Sequence, residues 1–254
     1  MMTAAVPSPE TFQVLLLDIE GTVCPVSFVH NVLFPYALEA LPHYLDRHWH
    51  SPNFTHYRDA FPPDCRHDRP AFEAHVCHLV ARDVKAPYLK ALQGLLWHDG
   101  YHSGQLKAPI YSDVAPFMTA VHAAGKPIII YSSGSISAQK LLFAHTTSNP
   151  SDLTPLISDW FDTVNAGPKT ETSSYAAILS TRPAIPPSRW LFLSDNLNEV
   201  SAAIAAGLRS LPIMRPGNAP LPPDNPLSRL AISSFVPQPA NQDVADVDTA
   251  QGSP

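Results

Sequence analysis

The stretch FQVLLLDIEGT at residues 12–22 joins a nearly continuous apolar run to two carboxylates placed two residues apart. Such a run predicts a strand that is buried on both faces, as in parallel sheets. Alternate residues of an extended chain point the same way, so Asp18 and Glu20 are expected to face a crevice while Ile19 faces the core. Gly21 allows a sharp turn directly afterwards, and the Thr22 hydroxyl is placed to brace a nearby carboxylate.

Two later segments repeat this pattern of an apolar run that ends in polar residues. PIIIY at 127–131 leads into serines, and WLFL at 190–193 leads into Ser194 and Asp195. Helical patterns alternate with these runs, at residues 114–124, 135–145, 170–179 and 197–206. The alternation predicts an α/β fold, a doubly wound parallel sheet with right-handed crossovers. Ligands bind beyond the carboxyl ends of such strands, where Asp18, Ser132 and Asp195 all fall.

The region between the first and second strands has a different character. Residues 29–49, 69–83 and 85–97 have helical patterns with no strand run among them. We interpret them as an inserted helical cap domain over residues 25–107. The α/β core then comprises residues 1–24 and 108–235, with a short edge strand possible at 230–235, LAISSF. The proline-rich residues 236–254 are expected to form a loose tail.

Composition limits the classes of function. A net charge of −6 and a pI near 6.0 argue against broad nucleic-acid binding. The sequence has no run of about 18 apolar residues, so it predicts no membrane-spanning helix. The three cysteines lack a CxxC motif, which favours a reducing compartment. Because Met1–Glu10 lacks signal-peptide features, we expect a cytoplasmic protein, with a nuclear location also open in a eukaryote.

The acidic and serine-rich strand ends favour phosphate chemistry. Two carboxylates in one small site repel each other, and a hard cation such as Mg²⁺ relieves that repulsion. Ser132 and Ser133 precede a predicted helix, where hydroxyl and N–H groups suit an anion. Each segment alone has a simpler interpretation. Residues 18–22 could form an acidic surface turn, and the serines could be ordinary helix caps.

Lys169 and the loop LSDNLNE at 193–199 complete the set of candidates. Lys169 precedes a predicted helix and supplies a second cation beside a phosphate, although an isolated lysine is more often a solvated charge. Asp195 ends an apolar strand and suits a metal ligand. Glu199 is equally consistent with a carboxylate that stabilises the first turn of a helix and with one that bonds to backbone or metal-bound water.

The order of these motifs along residues 12–216 resembles that of the haloacid dehalogenase-like phosphatase superfamily. Glu two residues after the nucleophile, in place of the usual Asp, resembles the enolase-phosphatases of methionine salvage, the acireductone synthases. Further similarity lies in LQGLLW at 92–97, residues 100–114, YSSGS at 131–135, and FDT at 161–163 leading to Lys169. Asn196 and Asn198 depart from the superfamily by leaving this loop with fewer acidic groups, so Asp195 has to carry the ligand role.

The resemblance implies a haloacid dehalogenase-like core with Asp18 as nucleophile and one Mg²⁺ per subunit held by Asp18, Glu20 and Asp195. It implies that Lys169 and the serines at 132 and 133 bind the phosphate of the substrate, 2,3-diketo-5-methylthiopentyl 1-phosphate. The expected products are phosphate and the acireductone 1,2-dihydroxy-3-keto-5-methylthiopentene. Glu20 is then also a candidate general acid or base. We expect a monomer with a small phosphate ester as its partner, and neither nucleic acid nor membrane.

Four other functions stay open at this point. The same chemistry on another phosphomonoester, such as a sugar phosphate or phosphoserine, is the main alternative. A haloacid dehalogenase would need neither the metal cluster nor Glu20, and a catalytically silent binding protein would need none of the acidic and basic set. A zinc site in the cap, suggested by His67, His75, Cys77 and His78, lacks zinc-like spacing, and structural or surface histidines are the better interpretation.

Overall fold

The apolar run at the start of the chain forms the central strand of a parallel sheet. The computed structural model describes residues 6–236, and the run forms β1, Val14–Leu17. The other strands are β2 (Ile128–Tyr131), β3 (Asp159–Phe161), β4 (Trp190–Ser194) and β5 (Arg209–Pro212). All four strand pairs are parallel, in the order β3-β2-β1-β4-β5. The predicted doubly wound sheet is therefore confirmed.

Two of these strands escape prediction from the sequence because neither has a long apolar run. β3 has three residues and is only partly buried. β5 has the sequence RSLP and begins with an exposed arginine. Both lie at the edges of the sheet, where one side of the strand has no neighbouring strand and the hydrophobic pattern is accordingly weak.

Side chains alternate across β1 and separate the core into two layers. Val14 and Leu16 pack on one face with Phe192 and Tyr175. Leu15 and Leu17 pack on the other face, in the larger cluster that extends to the helices between β1 and β2. Because all four β1 side chains are fully buried, the strand is rigid where it delivers Asp18 to the sheet edge.

The chain between β1 and β2 is helical, as predicted. A short helix at Val26–Phe28 (α1) is continued by a π-helical turn at Val29–Leu33 and then by a longer helix at Phe34–His48 (α2). Three helices follow over residues 52–102: α3 (Pro52–Asp59), α4 (Arg69–Ala81) and α5 (Pro87–His102). The α3 helix is not predicted from the sequence because its mean hydropathy is low and Phe54 is its one buried residue.

Four helices accompany the remaining strands. They are α6 (Val114–Ala123), α7 (Ile136–Ala144), α8 (Thr172–Ser180) and α9 (Leu197–Ala205). Each begins within two residues of its predicted start. The connections from β1, β2 and β4 thus leave the same edge of the sheet, and this edge carries the candidate site.

The possible strand at residues 230–235 does not form. Pro226–Leu230 is a 3₁₀ turn, and Ile232 makes a single bridge with Ile213. The chain then turns away because the Phe235 N–H donates to a carboxylate oxygen of Asp113, 2.7 Å away, rather than to β5. Ile232 and Phe235 are nevertheless fully buried. The predicted loose tail lies, apart from Val236, outside the described residues.

Within residues 6–236 no helix combines the length and the apolar character that a membrane span requires. Cys24, Cys65 and Cys77 are free thiols, and the first two are buried.

Candidate active site

Asp18 is held by contacts to both of its carboxylate oxygens. Its backbone N–H donates to Leu193 O at 3.1 Å, which extends the pairing of β1 with β4 by one residue. The Lys169 ammonium donates to Oδ1, and the Thr22 hydroxyl donates to Oδ2 at 3.2 Å. The side chain is 7% exposed. Asp18 is therefore a nearly buried carboxylate of fixed orientation at the end of a rigid strand.

Lys169 lies between two carboxylates. Its Nζ contacts Asp18 and lies 2.7 Å from Oε2 of Glu199, which also accepts a 2.8 Å hydrogen bond from the Ser194 hydroxyl. Burial by itself lowers the pKa of a lysine, but the two carboxylates outweigh it and raise the pKa of Lys169 above its ordinary value. The ammonium is therefore charged at any physiological pH.

The backbone around Lys169 is held by two buried tyrosines. Tyr175 OH donates to Lys169 O at 2.8 Å, and Tyr131 OH donates to Gly167 O at 2.7 Å. Gly167 has a φ of +102°, and a Cβ there would lie 2.6 Å from the Ser174 hydroxyl. A glycine is thus required for this loop to bring Lys169 to Asp18.

Asp195 follows β4 and contacts the turn at residues 18–22. The Thr22 hydroxyl links the two acidic residues, since it donates to Asp18 and accepts from Asp195 N at 3.1 Å. A Cβ built on Gly21 would lie 2.1 Å from Oδ2 of Asp195. Burial, then the charges of Asp18 and Glu199, raise the pKa of Asp195 to about 7. The site thus holds more negative charge than its lysine neutralises.

That excess charge fits a hard divalent cation. Mg²⁺ is commonly held by one or two carboxylates together with water and substrate phosphate, which Asp18 and Asp195 can supply. Among the described residues no three His, Cys, Asp or Glu side chains form a group that could hold a metal ion. Asp18 and Asp195, which are linked through the Thr22 hydroxyl, are the pair that suits Mg²⁺, and a ligand role for the Glu20 side chain stays a prediction.

Glu20 lies on the side of the site that faces the cap helices. It lines a cavity between the sheet edge and these helices, together with the serine loop at 132–135. Burial and the charge of Asp18 raise the pKa of Glu20, while Lys85, Lys169 and His30 act in the opposite direction. A carboxyl group with a raised pKa beside a cavity suits proton transfer.

The serine loop offers fewer phosphate donors than its sequence indicates. Ser132 N–H already donates to Phe161 O at 3.2 Å, and the Ser132 hydroxyl accepts from Gly134 N at 3.2 Å. At the start of α7, Ile136 N–H donates to Asp162 Oδ2. The expected anion site at this helix N-terminus is thus partly occupied by the protein itself, which leaves the Ser132 hydroxyl proton and Ser133 as donors.

Several residues of the site are missed by sequence reasoning. The segment between β1 and β2 contributes His30, Lys85, Lys90 and Gln93 to the cavity, and Lys90 Nζ donates to Ser133 O at 2.9 Å. Gln93 carries the one sequence signal, a polar residue within an apolar helix pattern; it is 5% exposed. The positions of the two lysines follow from how the cap packs, which periodicity does not reveal.

The turn at residues 18–22 is also braced from the C-terminal part of the chain. Arg215 Nε donates to Thr22 O at 3.0 Å, and its Nη1 lies 2.7 Å from Asp113 Oδ2. Asn218 Nδ2 donates to Gly21 O at 2.9 Å. No motif in the sequence marks Arg215, because its partners lie far away along the chain.

The histidines proposed as alternative zinc ligands have other neighbours. His75 Nε2 lies 3.4 Å from Tyr88 OH, and His78 Nε2 lies 3.3 Å from Arg82 Nη1. Cys77 is exposed.

Comparison with known proteins gives a consistent result. A model of the haloacid dehalogenase-like hydrolases matches residues 12–207. The chain is 64% identical over 225 residues to enolase-phosphatase E1 of Fusarium vanettenii, covering 88% of this chain and 94% of the relative. It is 65% identical to the enolase-phosphatase E1 of Verticillium alfalfae over 83% of this chain and 82% of the relative.

Solved structures support the same fold. The crystal structure of the UTR4 protein of Saccharomyces cerevisiae superposes with a TM-score of 0.75 at 39% identity, covering 89% of this chain and 98% of that chain. CbbY from Rhodobacter sphaeroides, at 18% identity and a TM-score of 0.53 over 82% of this chain and 87% of that chain, is similar in fold alone.

Proposed function

The chain belongs to the enolase-phosphatase E1 family of the haloacid dehalogenase-like hydrolases, and on this premise we propose that it converts 2,3-diketo-5-methylthiopentyl 1-phosphate to the acireductone 1,2-dihydroxy-3-keto-5-methylthiopentene and phosphate. The observation that carries the proposal is the buried contact of Asp18 with Lys169, beside an acidic pair suited to a divalent cation. This arrangement suits phosphoryl transfer to a carboxylate.

Asp18 acts as the nucleophile in this proposal. Its carboxylate attacks phosphorus in line, the bond to the substrate oxygen breaks, and an aspartyl-phosphate forms that water then hydrolyses. The contacts of Lys169 and Thr22 hold the carboxylate in one orientation, which lowers the entropic cost of the attack. The Lys169 charge stabilises the negative charge of the transferring group.

The metal is one Mg²⁺ per subunit, held by Asp18 and Asp195 with Glu20 as the third predicted ligand. Haloacid dehalogenase-like phosphatases generally use Mg²⁺. When bound it supplies neutralising charge at the phosphoryl oxygens. The hydroxyl of Ser132 and the Ser133 donors bind the remaining phosphate oxygens.

Glu20 serves as the proton-transfer group for enolisation. The proton to be removed is on C1, which carries the phosphate ester, so the acceptor has to lie near the phosphate site. Glu20 is two residues from Asp18 and lines the cavity. The cap over residues 25–107 covers this cavity and excludes water, and its apolar residues contact the methylthio chain. We place the enzyme in the cytoplasm, with a nuclear location open, and as a monomer.

The experiment that tests this function follows two products at once. The purified protein is incubated with the diketo phosphate and Mg²⁺, and the ultraviolet absorbance of the enediol is recorded with free phosphate. Equal amounts of both support the proposal. Phosphate without enediol indicates a phosphatase for another phosphomonoester, such as a sugar phosphate, and neither product removes the proposed activity.

Asp18→Asn tests the assignment of Asp18 as the nucleophile. The amide has the same shape and keeps the Thr22 contact, so the variant is expected to fold and to lose phosphate release by on the order of 10⁶-fold. Ordinary turnover by this variant would remove the nucleophile assignment.

A further inference from the structure

The loop between α4 and α5 brings a lysine of the cap into the cavity beside Glu20. Lys85 lines this cavity together with Glu20 and Ser132. The two side chains of Lys85 and Glu20 therefore have access to the same bound molecule.

The backbone on the N-terminal side of Lys85 is held in a defined conformation. The α4 helix ends in a pair of reversed hydrogen bonds, from Asp83 N to Val80 O at 3.1 Å and from Val84 N to Leu79 O at 3.0 Å. This is a Schellman motif, which usually has glycine at the position that Asp83 occupies. Among residues 6–236 Asp83 is the one non-glycine residue with a positive φ, +50°.

The C-terminal side is equally constrained. Ala86 is extended, and Pro87 occupies the first turn of α5, where its fixed φ suits the start of a helix. The strained Asp83 costs about 1 kcal/mol or more, and strain of this kind persists where the surrounding structure requires it. The loop is thus built to hold Lys85 at one place on the cavity wall.

The other lysines of the site have partners within the described residues. Lys169 lies between Asp18 and Glu199, and Lys90 donates to Ser133 O. Lys85 forms no ion pair with residues 6–236, so its charge is available to a substrate. Enolisation develops negative charge on the C2 oxygen, one bond further from the phosphate than the C1 proton.

We propose that Lys85 is a catalytic residue of the enolisation step, in which its ammonium group binds and protonates the C2 oxygen of the diketo phosphate. The inference rests on the proposed function. The C1–H bond breaks and its proton goes to Glu20, while its electron pair forms the C1=C2 double bond. The π electrons of the C2 carbonyl move to oxygen, which takes a proton from Lys85. Exchange through water returns the proton from Glu20 to Lys85.

Lys85→Met tests this role, because it keeps most of the side-chain length and removes the charge. Enediol formation from the diketo phosphate is expected to fall about 100-fold, the effect of removing one oxyanion donor. p-Nitrophenyl phosphate has no enolisable C–H bond, so phosphate release from it does not include the step assigned to Lys85 and is expected to fall by less than about tenfold. The exposed Lys107→Met is the matched control and is expected to leave both rates unchanged.

A deuterium label separates the enolisation step from the others. With substrate deuterated at C1, the isotope effect on enediol formation is expected to rise in Lys85→Met, since C–H cleavage then limits the rate. Lys85→Arg keeps the charge, so its rate of enediol formation is expected to be at least about tenfold higher than that of Lys85→Met. The proposal is overturned if Lys85→Met forms enediol at the ordinary rate. It is also overturned if the variant slows by the same factor on the diketo phosphate and on p-nitrophenyl phosphate. A third contrary result is an increased isotope effect on enediol formation in His30→Gln with none in Lys85→Met.

These outcomes are distinguishable from a failure of the proposed function. That failure shows in the unsubstituted enzyme, which would then form no enediol from the diketo phosphate under any condition. If the unsubstituted enzyme and Lys85→Met form enediol at the same rate, the proposed function stands and only the role of Lys85 is refuted.

Discussion

The Lys169 ammonium nitrogen lies 2.7 Å from Oε2 of Glu199, and the two side chains are 7% and 12% exposed. Glu199 is therefore as much a part of the site as Asp18, which Lys169 also contacts. The pair stabilises the lysine in a position that burial alone would disfavour. Ser194 completes the arrangement through its hydrogen bond to the same Glu199 oxygen.

Glu199→Gln is expected to lower the free energy of unfolding by about 1.5–3 kcal/mol, because it replaces a charge-assisted buried contact with a neutral one. It is expected to lower kcat/KM about tenfold or more, since Lys169 loses one of its two anchors. Urea unfolding and phosphate release measure the two effects. Glu171→Gln, on an exposed residue of the Lys169 loop, is the control; equal effects in both variants would contradict the role given to Glu199.

Gly21→Ala is expected to disrupt the metal site more than it disrupts the fold. Gly21 has a φ of +70°, and its new Cβ would lie 2.1 Å from Oδ2 of Asp195. Gly104 has a φ of +77° with nothing within 4 Å, so Gly104→Ala carries the backbone strain alone. Both variants are expected to lose about 1 kcal/mol of stability or more. Only Gly21→Ala should weaken Mg²⁺ binding by calorimetry, and equal affinities would refute this account.

Mg²⁺ is expected to stabilise the protein more strongly as pH rises. The pKa of Asp195 is raised from 3.8 to about 7 in the folded protein. The folded state then holds a proton that the unfolded chain has lost, so the stability contributed by this group declines as pH increases from about 4 to about 7. Bound Mg²⁺ displaces that proton, and its affinity should weaken about tenfold per pH unit below 7.

Thermal unfolding measures this dependence. The increase in Tm caused by Mg²⁺ is expected to be larger at about pH 8 than at about pH 6, because proton competition is weaker there. Asp195→Asn should remove most of the difference. An increase in Tm that is the same at both pH values would show that Asp195 does not titrate with metal binding.

Arg215→Met is expected to destabilise the fold by about 3–5 kcal/mol, because it leaves Asp113 buried without its partner. The Arg215 and Asp113 side chains are 3% and 10% exposed. The pair formed by Arg182 and Asp159 is 23% and 42% exposed, so Arg182→Met should cost less than about 1 kcal/mol. Chemical denaturation of both variants provides the comparison, and similar losses would mean that Arg215 contributes only as an exposed ion pair does.

Loss of Arg215 is also expected to reduce activity, although it lies outside the predicted catalytic set. Its Nε–H donates to the Thr22 carbonyl, and the Thr22 side chain contacts Asp18 and Asp195, the two acidic residues of the proposed metal site. Arg215→Met is expected to need a higher Mg²⁺ concentration for half-maximal phosphate release. At saturating Mg²⁺ its rate of phosphate release is expected to return to that of the unsubstituted enzyme.

Much of the fold was predictable because its signals are local. Apolar runs that end in polar residues mark β1, β2 and β4, and the order of strands and helices places Asp18, Ser132 and Asp195 at one sheet edge. The family resemblance of the DIEGT segment rests on adjacent residues as well. The edge strands β3 and β5 and the α3 helix were missed because short or polar segments carry little periodicity.

The contacts that complete the site were decided by the tertiary structure. Lys169 meets Asp18 across 151 residues, and Arg215 meets Thr22 across 193; such pairings depend on how crossovers and loops close, which no local pattern encodes. The sequence by itself therefore determined the sheet, the acidic strand ends and the place of Asp18 at the end of β1, and it predicted Asp18 as the nucleophile. Packing decided that Glu199 anchors Lys169, that Gly21 makes room for Asp195, and that Lys85 reaches the cavity from the cap.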